Sequence, residues 1–279
     1  MKIINITQNK FDNLKSIGES ISLESEIYVL DDNTLLKRLY GDLEEEFKNK
    51  LYTIEELDKL KKYIDIPELI FPDTLVKTND TIIGFTMPYI NGETLDEILK
   101  SDKYPEEEKI NYLKQVGIIL EKMEYIRNNS KFNNFYLNDI HAGNFMLDKT
   151  TNQIKVIDLD SSKIGNNEVK CSKYLNPFGA ASYVPKYLDE NNKFKISYNT
   201  ELYCYIMMVL NYISDNKVSN LNVQDYYRYL EYLKDQRISN KLLERLSYVY
   251  MNIDNENIYR EIKELLVIKE PEYNYNKTL

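Results

Sequence analysis

Three side chains with oxygen donors stand near the middle of the chain: Asp139, Asn144 and Asp158. Asp139 lies in a polar stretch and Asn144 follows five positions later. Residues 145–147 then form a short apolar run, a six-residue polar stretch follows, and a second apolar run, 154–157, ends on Asp158. Two short apolar runs around a polar turn predict a β-hairpin, with all three donors at its open end. Transfer of a phosphoryl group from a nucleotide needs such a set. One carboxylate orients an attacking hydroxyl and accepts its proton, and two hard oxygen donors hold a magnesium ion on the phosphates. Asp139 fits the first role, and Asn144 and Asp158 fit the second.

The elements that must position these groups are legible on either side. Residues 3–6, 26–30 and 34–40 read as strands, the last two joined by a tight turn at Asp31, Asp32 and Asn33. Lys37 falls in the second arm of that hairpin, and from the hairpin alone it reads equally as solvent-facing or as functional. Leu43, Phe47, Leu51, Ile54, Leu57 and Leu60 recur at helical spacing and predict a helix over 43–64. Two further strands follow at 74–77 and 82–87, completing an expected five-stranded antiparallel unit with one main helix. Beyond residue 90 the pattern turns helical, with a short helix at 94–99, a long one at 106–127 and a nearly all-apolar one at 201–214. Three amphipathic helices near 222–236, 240–252 and 256–268 complete the chain.

The order of these features resembles the protein-kinase-like superfamily, whose catalytic loop reads Asp-x-x-x-x-Asn and whose metal-binding Asp ends the following strand. The flanks depart from the protein-kinase pattern: Leu137 and Asn138 stand in place of His-Arg, and Leu159 and Asp160 in place of Phe-Gly. His141, two positions after the base, is similar to the arrangement in atypical and small-molecule kinases of the superfamily. The resemblance implies an α+β, two-lobed protein-kinase-like fold, with a small antiparallel β lobe (1–90) and a larger, mostly helical lobe (91–279). It implies ATP and magnesium as cofactors. Lys37 becomes the strand lysine that reaches the phosphates, and Glu56, or else Glu55, the helix glutamate that holds it. Gly18 is the remnant of the phosphate-covering loop. Tyr89 and Ile90 are the backbone contacts for adenine, since Pro88 has no N–H to donate. His141, the single histidine of the chain, stands where protein kinases carry a lysine that touches the transferred phosphate.

Composition narrows the rest. A net charge of −9 argues against a general nucleic-acid binder, which needs a basic excess. Two cysteines without a close pair argue against structural zinc or a disulfide framework. The N-terminal residues contain no uninterrupted apolar run, so no secretory signal is expected, and no stretch is long enough to span a bilayer. A cytoplasmic kinase without membrane or nucleic-acid partners follows. A protein Ser/Thr hydroxyl is the first reading for its acceptor, because residues 179–186 loosely resemble the end of a protein-kinase activation segment. An aminoglycoside- or choline-type small molecule is the alternative, and a pseudokinase acting as a binding module is the third.

Overall fold

The computed structural model describes residues 1–17, 25–40, 44–129, 134–169 and 196–213. They form a mixed α+β architecture in two compact units, Met1–Glu93 with Met146–Val169, and Thr94–Phe145 with Lys170–Leu279. The single boundary expected near residue 90 is therefore corrected. The chain crosses there, but residues 146–169 belong with the N-terminal unit. The expected phosphate loop around Gly18, the 179–186 segment and the three helices after residue 214 lie outside the described residues.

The first unit is built on strands β1 (Lys2–Asn5), β2 (Lys15–Ser16), β3 (Ser25–Asp31), β4 (Thr34–Leu39), β5 (Thr74–Thr78) and β6 (Thr81–Pro88). They form one sheet in the order β1-β5-β6-β4-β3-β2. The sheet has six strands, not five, and is not wholly antiparallel. β1 runs parallel to β5, with Lys2 opposite Thr74 and Asn5 opposite Lys77. The physical reason is that the β2, β3 and β4 segments and the main helix intervene between the two, a connection long enough for the chain to return in the same direction.

The sheet is covered on both faces. Leu36 and Val76 bury one face against Ile6 and Phe11, the latter on the short helix α1 (Gln8–Asp12). Leu39, Leu75 and Phe85 bury the other against Ile54 of helix α2 (Glu44–Leu60). Because side chains alternate along a strand, Lys37 shares the α2 face with Leu39. The ladder sets Lys37 opposite Phe85. Gly84 is the next residue of β6, and a Cβ there would overlap the Lys37 carbonyl oxygen.

The hairpin of β8 (Phe145–Asp148) and β9 (Gln153–Val156) joins β7 (Gly92–Thr94) in a second, three-stranded sheet in the order β7-β8-β9. Sequence reading gave β7 no strand. Its Gly92 lies so close to the Leu147 carbonyl that a side chain there would collide with it. Val156 also exchanges backbone hydrogen bonds with the 68–70 segment, accepting from Ile70 N–H at 3.0 Å and donating to Glu68 O at 2.7 Å. These bonds tie the hairpin into the N-terminal unit.

In the second unit, helix α3 (Leu95–Lys100) opens on a capping box between Thr94 and Glu97. Helix α4 (Glu106–Asn129) buries Leu113, Val116, Leu120 and Met123. Helix α5 (Tyr198–Ile213) contributes Cys204, Tyr205, Met208 and Val209 to the core. A charged pair is buried with them. Arg127 of α4 donates to Phe135 O at 2.9 Å, and Glu201 of α5 accepts from Leu137 N–H at 2.7 Å. Arg127 Nη2 and Glu201 Oε2 stand 2.8 Å apart, a charge contact whose angles are not those of a hydrogen bond. The guanidinium also stacks on the Tyr136 ring at 4.5 Å. Burial pushes the Glu201 carboxyl above its usual range, while Arg127 and the Leu137 N–H pull it partly back. Among the described residues no helix is long and apolar enough to cross a membrane.

Two outcomes follow from this packing. Gly84→Ala destabilises the protein by about 1–3 kcal/mol through overpacking against β4, read as a lower denaturation midpoint; an unchanged midpoint would show that β4 can move aside. Glu201→Ala costs about 1–3 kcal/mol, because it strands the buried Leu137 N–H and leaves the Arg127 guanidinium to Glu124 and the Phe135 carbonyl. Glu201→Gln costs less, since its amide oxygen still accepts from Leu137, and equal losses in the two variants would remove the backbone bond from the account.

Candidate active site

In the first unit, four charged side chains converge at the end of β9. Lys37 is only 5% exposed. Its Nζ donates to Asp158 Oδ1, and to Asp160 Oδ1 at 2.7 Å. Lys50, one turn before the buried face of α2, donates to Asp160 Oδ2 at 3.2 Å and to Ser161 Oγ at 3.3 Å. The two carboxylates differ in access: the Asp158 side chain keeps 28% of its exposure and that of Asp160 keeps 1%. Burial disfavours the Lys37 charge, but the two carboxylates outweigh it and hold the ammonium protonated well above its usual range. Burial likewise raises the Asp158 carboxyl, yet Lys37 and Lys50 together bring it below the ordinary carboxylate value.

The backbone after β9 gives the two carboxylates their separate directions. Asp158 adopts left-handed dihedrals, φ 64° and ψ 35°, which Asp tolerates better than most residues. A 3₁₀ turn over Leu159–Ser161 follows, and Ser161 Oγ returns a hydrogen bond of 2.8 Å to Asp158 Oδ2. The chain is then held on α2 through side-chain amides. Asn167 Nδ2 donates to Thr53 Oγ1 and to Ser162 O, both at 2.8 Å. Asn49 brackets Glu168, accepting from its N–H at 2.9 Å and donating to its carbonyl at 2.5 Å.

In the second unit, the loop before β8 organises Asp139. Asn138 is buried with φ 62°, and Asp139 N–H donates across it to Leu137 O at 2.7 Å, a tight γ-turn of a strained kind. Asn144 Nδ2 donates to Asp139 O at 2.8 Å and to Asp139 Oδ2 at 3.2 Å. His141 Nδ1 accepts from Gly143 N–H at 3.1 Å, so a neutral imidazole carries its proton on Nε2. That nitrogen lies 3.3 Å from Asp139 Oδ2. The carboxylate is thus held by two neighbours of its own loop. Leu137, Ile140, Ala142 and Phe145 anchor the loop from below as buried apolar residues.

Several expected placements are corrected. Glu56 does not hold Lys37: it pairs with Lys59 at 2.5 Å, one turn along the same helix, and Glu55 is exposed. The helical face that meets the cluster carries Lys50 and Thr53 instead, because the apolar stripe through Ile54 and Leu57 turns Glu56 aside. Tyr89 does not offer its N–H to a base, because that group donates to Asn33 O at 2.9 Å and extends the β4–β6 ladder past Thr34 and Pro88. Ile90 follows it, half-buried. His141, expected against a phosphate, lies on Asp139. Lys37 and Asp158 do meet, and so do Asp139 and Asn144.

Four groups escaped the sequence reading: Asp160, Lys50, Arg127 and Glu201. The sequence held a signal for two of them, since Asp160 departs from Phe-Gly and Glu201 is the one acidic residue in an otherwise apolar helix.

Among the described residues no cluster of three or more His, Cys, Asp or Glu could hold a metal. Magnesium is commonly bound through only one or two protein oxygens, with water and phosphate completing the shell. The partly open Asp158 carboxylate is such a donor. So is the amide oxygen of Asn144, whose nitrogen is engaged by Asp139. Each residue by itself has the hard oxygen that magnesium takes. No protein-family model matches this chain, and no curated protein matches it.

Proposed function

We propose that this chain is an ATP- and magnesium-dependent phosphotransferase with a two-lobed protein-kinase-like fold, acting on an alcohol group. The observation that carries the reading is the buried contact of Lys37 with Asp158, side chains 121 positions apart in sequence. A strand lysine and a carboxylate at the end of a distant hairpin strand are the pair that phosphoryl transfer uses on the nucleotide side. A surface lysine has no reason to enter the core beside two acids, because burying its charge is costly without such partners.

The residues divide the work. Lys37 presents its ammonium to phosphate oxygens and offsets their charge. Asp139 aligns the acceptor hydroxyl and takes its proton as oxygen attacks the γ-phosphorus and the bond to the β-phosphate breaks, releasing ADP. Asn144 and His141 fix the Asp139 carboxylate in one orientation, which lowers the cost of aligning the acceptor. Magnesium, held by Asp158 and the Asn144 amide oxygen, would neutralise charge on the phosphates. A protein Ser/Thr hydroxyl is the acceptor of first choice, on the sequence of residues 179–186. A small-molecule hydroxyl is the second reading, favoured by His141 sitting on the base as part of the loop.

Incubation with γ-labelled ATP and magnesium, and separately a generic protein and a panel of amino alcohols, tests the reading. Label appears in one class of acceptor, and its absence from both, with nucleotide still bound, would favour a binding module instead. Asp139→Asn leaves nucleotide affinity intact and lowers turnover by about 10²–10⁴-fold, so unchanged turnover would remove Asp139 as the base. Asp158→Ala abolishes the part of ATP affinity that depends on magnesium. Equal affinity with and without the metal, in both wild type and variant, would contradict that role.

A further inference from the structure

We propose that Asp160 is the positioning residue for Lys37, and that helix α2 governs the strand lysine through Lys50 and Asp160 rather than through a glutamate. This inference rests on the phosphotransferase reading and names the device that prepares its lysine. Three observations lead to it. Asp160 uses one carboxylate oxygen on each of two ammonium groups, Lys37 at 2.7 Å and Lys50 at 3.2 Å. Its side chain is 1% exposed, so an incoming metal or nucleotide cannot reach it, whereas Asp158 at 28% is open to one. Finally, α2 spends Glu56 on Lys59.

The two aspartates therefore have separate tasks. Asp158 is the carboxylate available to a ligand, and while it serves one it can no longer be the fixed partner of Lys37. Asp160 remains, and it keeps the ammonium from swinging away. Lys50 takes its second oxygen and fixes the carboxylate plane, so a movement of α2 reaches Lys37 through two ion pairs in series.

The test uses the full-length protein and MgATP binding by calorimetry, beside acetylation of Lys37 by an activated ester followed by mass spectrometry. Asp160→Asn is expected to weaken binding on the order of tenfold or more, as when one partner of a buried pair is lost, and to speed acetylation of Lys37. Asp160→Glu restores part of the affinity, a rescue that a merely space-filling role would not give. Lys50→Met weakens binding less, and adds little to Asp160→Asn in the double variant, because the ion pair through which Lys50 reaches Lys37 is the one with that carboxylate. Glu56→Gln leaves affinity unchanged. Wild-type affinity in Asp160→Asn, or a loss in Glu56→Gln matching it, would overturn the proposal. Should Asp160→Asn fail to fold, Lys50→Met decides alone: weaker binding with faster Lys37 acetylation supports the relay, and no change in either overturns it. A wild-type chain that binds no nucleotide overturns the phosphotransferase reading, and the nucleotide role of Asp160 with it. That result is distinct, because it appears before any variant is made.

Discussion

An ammonium ion enclosed by protein is tolerated only when anions surround it, and the first unit is arranged to satisfy that condition at Lys37. The lysine comes from the middle of β4, with Leu36 and Leu39 buried on opposite faces of the sheet around it. Its anions come from the far side of the hairpin, and they reach it because β8–β9 is stitched to the 68–70 segment and to β7. The second cation comes from α2, whose own place is set by Ile54 against the sheet. Sheet, helix and hairpin thus each contribute one part of a neutral group of two lysines and two aspartates. Removing any one part leaves a charge in the interior without its counter-ion, which is why the cluster and the packing of this unit stand or fall together.

The loop bearing Asp139 is held by a different kind of constraint. Here the buried ion pair of Arg127 and Glu201 grips the main chain, at Phe135 and Leu137. From that fixed start the γ-turn at Asn138 reverses the chain, and the 3₁₀ turn at Ala142–Asn144 brings an amide back to the carboxylate. Rigid main chain first and short side chains second is an economical way to hold a carboxylate within hydrogen-bond tolerance, since Asp, Asn and His lose little rotamer freedom on ordering.

Much of this was legible from residue types, and the failures have physical causes. The main helix and the long α4 announced themselves through their period, because each buries one face, and the hairpin through the polar turn between its two apolar runs. Spacing placed Asp139 and Asn144 at the same end of the hairpin, and their mutual hydrogen bonds came only with the structure. The partner of Lys37 was misassigned because an acidic residue on a helix gives no sign of which way it points. Glu56 lies at the border of the apolar stripe, and a rotation of one position decides between the core and Lys59. The parallel pairing of β1 was hidden for another reason: strand direction depends on where the chain returns from, which no local pattern records. Asn138 and Asp160 were noticed only as departures, and geometry supplies their reasons. The first accepts a left-handed backbone before Asp139, and the second is a counter-ion.

The way residues 162–168 are fastened to α2 bears on how this region can change over time. Asn49 reads only the N–H and carbonyl of Glu168, and Tyr52 accepts from the Asn166 N–H. Neither contact inspects a side chain at 166 or 168. Position 166 is therefore free to drift in charge and size, and position 168 in size, since its charge acts on Lys163, whereas Asn49, Thr53 and Asn167, whose side chains make the bonds, are not. Diversity is thereby directed to one side of the segment while its path past Asp160 is preserved, so surface properties there could be altered by substitution or design with the charged cluster left intact.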